Sequence, residues 1–180
     1  MTRRLLCRVE RLRHDTDKQG IAADKSADPD IWKRDDYWAT PFETITTFGG
    51  GSEDIAIVKY VILRLMGIPD DKLGFVYVQT TNSDRRMVLA YKENKNATSM
   101  ILDNQHEDVL SAKKRRDILA IYAFKNDGTL FLITDDGKSD RKLKAKIEDK
   151  KLAKWASAKE RSRKNTAYYE QVLCPGHCLR

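Results

Sequence analysis

Gly49, Gly50 and Gly51 lead directly into Ser52, Glu53 and Asp54, and then into an apolar run from Ile55 to Met66. A polar residue set by a glycine turn at the start of a buried helix stands where many hydrolases hold a nucleophile. Free N–H groups and the positive end of the helix dipole favour an anion there. The residue in that seat is a serine, which needs a base to take its proton, and the base needs a group to orient it. The polar residues at the ends of the neighbouring strand patterns are Arg86, before Met87-Val88-Leu89, and Asp103, after Ile101-Leu102. Arginine is protonated at any ordinary pH and accepts no proton, so the expected outcome is a structural Arg86–Asp103 ion pair. His14, His106 and His177 are the histidines; His106, three residues past Asp103, reads as an exposed loop residue rather than a base. Ser52 and Arg86 also form a candidate anion contact, a helix N-terminus facing a fixed cation.

The elements that must carry these groups follow from periodicity. Leu5, Leu6, Val9 and Leu12 have helical spacing over 3–14, and 19–30 is polar and reads as a loop. Pro41 opens a short helix through Thr47. Ser52 is the expected N-cap of the next helix, with Glu53 and Asp54 complementing its dipole and Lys59 and Arg64 the charges within its apolar run. That helix reads as apolar nearly all round and central to the core; Gly67 and Pro69 end it. Strand patterns follow at 73–80, 86–92 and 99–102. The residues 118–124 and 129–134, joined by Lys125-Asn126-Asp127-Gly128, read as a hairpin. A basic helix over 144–163 closes the chain with Leu152 and Trp155 facing inward. One buried helix followed by an antiparallel sheet is an α+β arrangement, and its expected core is Tyr37, Trp38, Ile57, Val61, Val76, Val88 and Leu102.

Composition sets bounds. The 180 residues suit one domain, 41% hydrophobic and 34% charged. No run is long enough to span a membrane, and charge interrupts the N-terminus too early for a signal-peptide core, so the expectation is a cytoplasmic chain, or a periplasmic one whose leader has been removed. Cys7, Cys174 and Cys178 form no disulfide framework. Cys174-Pro175-Gly176-His177-Cys178 resembles half of a metal knuckle without its second half, and reads as a tail. The net charge is +7, concentrated in Lys113-Lys114-Arg115-Arg116 and in 138–164, where twelve Lys and Arg face four Asp and Glu. With no aromatic stacking pattern beside it, this charge reads as a solvated helix face rather than a nucleic-acid surface.

Several segments resemble the bacterial transglutaminase-like cysteine peptidases, the family of the biofilm-adhesin protease LapG. They are Ile31-Trp32 with Asp36-Tyr37-Trp38-Ala39-Thr40-Pro41-Phe42-Glu43, Gly50 to Tyr60, Met87-Val88-Leu89-Ala90-Tyr91, and Ile101-Leu102-Asp103-Asn104. Arg116 to Phe124 and Leu152 to Trp155 extend the likeness, which runs from Trp32 to Trp155. The resemblance implies a papain/transglutaminase-like fold over 31–164, preceded by a poorly matched segment 1–30 and followed by a tail 165–180. It implies a cysteine at the Ser52 position and a histidine at the Arg86 position, with Asp103 kept. It also implies calcium held by acids flanking the cysteine: Gly51 stands where one acid is expected, while Glu53 and Asp54 remain as candidate ligands. Replacement of both reacting groups implies a degenerate peptidase acting as a binding or regulatory module for an adhesin-like peptide or regulator domain. An active peptidase cleaving an adhesin-type protein and a basic nucleic-acid-binding protein are the alternatives.

Overall fold

The computed structural model describes residues 32–33, 36–47, 49–106, 108–132 and 149–173. The expected helix at 3–14, the loop at 19–30, the three cysteines, His14 and His177 lie outside them. Helix α1, Pro41–Thr47, begins with a capping box: Thr40 N–H donates to Glu43 Oε2 at 2.7 Å, and Glu43 N–H donates to Thr40 Oγ1 at 3.3 Å. Helix α2 is Ser52–Leu65. It stops at Gly67, whose φ of 87° suits glycine, with Gly67 N–H on Arg64 O and Ile68 N–H on Leu63 O.

Strands β1 (Leu73–Thr80), β2 (Arg85–Tyr91), β3 (Met100–Leu102), β4 (Leu110–Ser111), β5 (Ile118–Phe124) and β6 (Leu130–Leu132) form one antiparallel sheet in the order β4-β3-β2-β1-β5-β6. The turn into β6 is as the sequence implies: Gly128 has a φ of 85°, and Lys125 N–H donates to Thr129 O at 3.0 Å. Helix α3 runs from Asp149 to Leu173, past the point where the sequence reading starts a tail. None of the described helices is long and apolar enough to cross a membrane.

Alternation along the strands sorts side chains between two faces. On one face Phe75, Tyr77, Met87, Leu89, Leu102 and Phe124 meet Ile57, Tyr60 and Leu63 of α2 and Trp155 and Ala158 of α3. Phe75 sits between the rings of Phe124, 5.0 Å away, and Trp155, 4.9 Å away. The other face gathers Val76, Val78, Val88 and Ile101. Val76 and Val88 therefore belong to a second cluster and not, as expected, to the core around α2, while Tyr37 and Val61 are half-buried. The central helix is also less uniformly buried than its composition suggests, since Leu65 is 83% exposed at its last turn.

Candidate functional site at the start of helix α2

Gly51, not Ser52, is the N-cap of α2; Ser52 is its first helical residue. Asp54 does the capping. Its Oδ2 accepts Gly51 N–H at 3.0 Å, while Oδ1 accepts Ala39 N–H at 2.7 Å, tying the segment before α1 to the start of α2. The carboxylate is fully buried, and both oxygens serve the backbone. It also explains one of the glycines: a Cβ on Gly50 would lie 2.7 Å from Asp54 Oδ2 and 2.8 Å from its Cβ. The glycine there makes room for a carboxylate, and no unusual backbone angle is involved.

The Ser52 hydroxyl is held on two sides. It donates to Glu53 Oε2 at 2.8 Å and accepts Met87 N–H at 3.1 Å. Met87 lies in β2 beyond the last residue paired with β3, since Leu89 is opposite Leu102, where β3 ends. The hydroxyl thus takes the place of a missing strand neighbour. Glu53 is shared in turn: Tyr77 OH donates to its Oε1 at 2.5 Å, and Lys151 Nζ stands 3.9 Å from that oxygen. Burial and the adjacent Glu53 charge push the Tyr77 hydroxyl far above its ordinary value, so it remains a donor.

Arg86 and Asp103 pair as the sequence implies, Nη2 to Oδ2 at 2.7 Å, but the pair is part of a larger network. Arg115 Nη2 reaches the same oxygen at 2.6 Å and also holds Asp117; Gln105 N–H donates to Asp103 Oδ1 at 3.1 Å, and Arg86 Nη1 donates to Gln105 Oε1 at 2.8 Å. Burial alone would raise the Asp103 carboxyl; the hydrogen bonds from Arg86, Arg115 and Gln105 outweigh it and hold the carboxyl below its ordinary value. The Arg115 hydrogen bond lowers Asp117 to about 2. Both terminal nitrogens of Arg86 are committed to this network, and its buried Nε has no hydrogen-bond partner among the described residues. Strand alternation puts Arg86 with Val88 on the face away from α2. His106 engages the backbone of Asp108 through Nδ1 at 3.2 Å, and no hydrogen bond joins it to Ser52 among the described residues.

The profile of the bacterial transglutaminase-like cysteine proteinases matches residues 6–120 of the chain. The chain belongs to this family. The match reaches further toward the N-terminus than the likeness read from the sequence, and ends earlier. Among solved structures, the EGTA-treated form of Legionella pneumophila LapG is 28% identical with a TM-score of 0.68, covering 90% of this chain and 80% of that one. The calcium-bound form is 29% identical with a TM-score of 0.67, covering 89% and 80%. The α+β architecture is accordingly transglutaminase-like. A search of curated proteins finds no match.

Calcium, which that relative binds in one of its structures, can be tested against the residues present here. The ion takes six to eight oxygen ligands. Both Asp54 oxygens accept backbone N–H groups, and the Glu53 oxygens accept Ser52 and Tyr77 hydroxyls with an ammonium nearby. Among the described residues no group of three or more His, Cys, Asp or Glu is arranged to hold a metal. The expected ligands Glu53 and Asp54 do not fit a calcium ion: one caps the helix and the other faces a cation.

Several members of the site escape the sequence reading, Gln105 and Asp117 among them. Sequence alone places Tyr77 only in a strand, Lys151 only on a solvated basic face, and Arg115 only in a charge cluster. Part of that face is put to other use. Lys151 and Lys154 pair with Asp36, Lys159 donates to Asn126 O at 2.7 Å, and Arg161 donates to Glu43 Oε2 at 2.9 Å and Trp38 O at 2.5 Å. These cations fasten α3 to the body of the domain.

Proposed function

We propose that this member of the family has lost peptidase chemistry and works as a binding or regulatory module for a protein partner, an adhesin-like peptide segment or a regulator domain. On this reading Ser52 stands at the position of the family cysteine and Arg86 at that of its histidine. The observation that carries the reading is the commitment of Ser52 Oγ: it donates to Glu53 and accepts the Met87 N–H, while the arginine that would have to act as base is tied to Asp103 and Gln105. General-base catalysis requires a group that can take and return a proton within reach of the nucleophile. A guanidinium cannot.

The competing reading, hydrolysis by Ser52, has one observation in its favour, the 2.8 Å bond from Oγ to the Glu53 carboxylate. Against it, that carboxylate also accepts Tyr77 OH and faces Lys151, so it is stabilised as an anion by groups unrelated to a substrate. Incubating the unaltered chain with an adhesin-type protein separates the two. The binding-module reading expects retention of the intact adhesin or of a regulator domain on the immobilised chain, with no cleavage product by mass spectrometry; turnover would refute it.

A further inference from the structure

The misfit with calcium has a counterpart on helix α3. Lys151 Nζ lies 3.1 and 3.3 Å from the two oxygens of Asp36 and 3.9 Å from Glu53 Oε1. Its charge also sits over two rings, 5.2 Å from the centroid of Tyr77 and 5.8 Å from that of Trp38. Trp38 is buried in the main core, and Tyr77 is stacked on Tyr122 at 4.9 Å, so the surfaces that hold the ammonium are rigid. Only 22% of the Lys151 side chain is exposed. Lys154, one residue short of a full turn further on, pairs with Asp36 as well.

We infer that Lys151 is a built-in cation for the first turn of α2: its ammonium takes over the neutralisation of Asp36 and Glu53, so the Ser52 end of the helix holds its shape without a divalent ion. The chemistry suits the place. An ammonium needs two or three acceptors rather than the six to eight oxygens of calcium, and ring faces add attraction that a hydrated divalent ion would not obtain at the same spot. Because the charge is covalently part of α3, it also locks that helix over Glu53 and, through Glu53, over Ser52 and Tyr77. The inference concerns the cation and stands whether or not Ser52 has any hydrolytic activity.

Thermal unfolding of the full chain in millimolar calcium and in EGTA, with amide shifts of Ser52 and Glu53 followed in parallel, tests it. The unaltered chain is expected to show the same midpoint in both solutions and unmoved amides. Lys151→Gln is expected to lower the midpoint by about 2–4 °C, the scale of a single partly buried charge contact in a chain of this size, and to move both amides. Lys151→Arg, which keeps a cation over the rings, should restore most of both. Stabilisation of the unaltered chain by calcium, reversed by EGTA, would overturn the inference. A Lys151→Gln chain with unchanged midpoint and unmoved amides would overturn it equally. If Lys151→Gln does not fold, the calcium comparison on the unaltered chain and Lys151→Arg still decides.

Discussion

Ser52 and Asp103 show how residues of a reactive type can be put to structural use. The Ser52 hydroxyl stands in for a strand neighbour of Met87, so Ser52→Ala should leave that N–H without its acceptor and cost about 1–3 kcal/mol in denaturant unfolding. Ser52→Cys should yield no peptidase, since the leaving amine would still lack a proton donor at Arg86; cleavage of an adhesin-type peptide by that variant would count against the proposal. Asp103 carries a pH dependence. Its folded value lies below the unfolded one, near 3.9, so its contribution is complete above that value and is lost as the pH falls through the folded one. Acid unfolding of Asp103→Asn should therefore have a shallower slope below about pH 4 than the unaltered chain. The Arg86–Asp103 pair was legible because each residue ends a strand pattern of its own. Arg115 was not, because its reach to Asp103 depends on how the chain returns from β4 to β5. The Tyr77–Glu53 bond likewise spans 24 residues, and no local pattern announces it.

At the scale of elements, the glycine run and helix α3 carry the sharper tests. Gly50→Ala forces a Cβ against the Asp54 carboxylate, which is held by Ala39 and Gly51 and has nowhere to yield. The expected cost is about 1–3 kcal/mol, measured as a shift of the urea midpoint. Arg161 stacks on Tyr37, 4.5 Å from its centroid, and bonds Glu43 and Trp38 O. Arg161→Ala should cost about 1.5–3 kcal/mol, whereas Arg163→Ala, at a side chain 79% exposed, should stay within about 0.5 kcal/mol. Strands β1 and β5 were readable to the residue from β-branched and aromatic alternation and their flanking turns. The two-residue strand β4 was not, being too short to show a period. Serine is a common N-cap and so suggests itself for that position, but Gly51 holds it, and the buried Asp54 carboxylate accepts the Gly51 N–H from the first turn.

The whole molecule has an asymmetry that hydrophobicity alone did not reveal. Alternation along β1 and β2 was visible, but which set faces α2 was not, and Val76 and Val88 were assigned to the wrong side. Ile57→Ala, in the core between α2 and the sheet, is expected to cost about 2–5 kcal/mol in denaturant unfolding, and a shift of a few tenths would contradict the burial described. Among the described residues, Lys151, Lys154, Lys159 and Arg161 of the basic segment read as solvated instead fasten α3 to the segment before α2 and to the β5–β6 turn. What this arrangement leaves at the start of α2 is a serine already bonded on two sides, while Arg86 is tied to Asp103 and Gln105 and cannot serve as its base. An active-site label reads that state directly: a fluorophosphonate forms a stable bond only with a serine whose hydroxyl a neighbouring base activates. Mass spectrometry of the full chain after prolonged treatment at neutral pH is expected to find Ser52 unmodified, and a stoichiometric phosphonyl adduct on Ser52 would contradict the account.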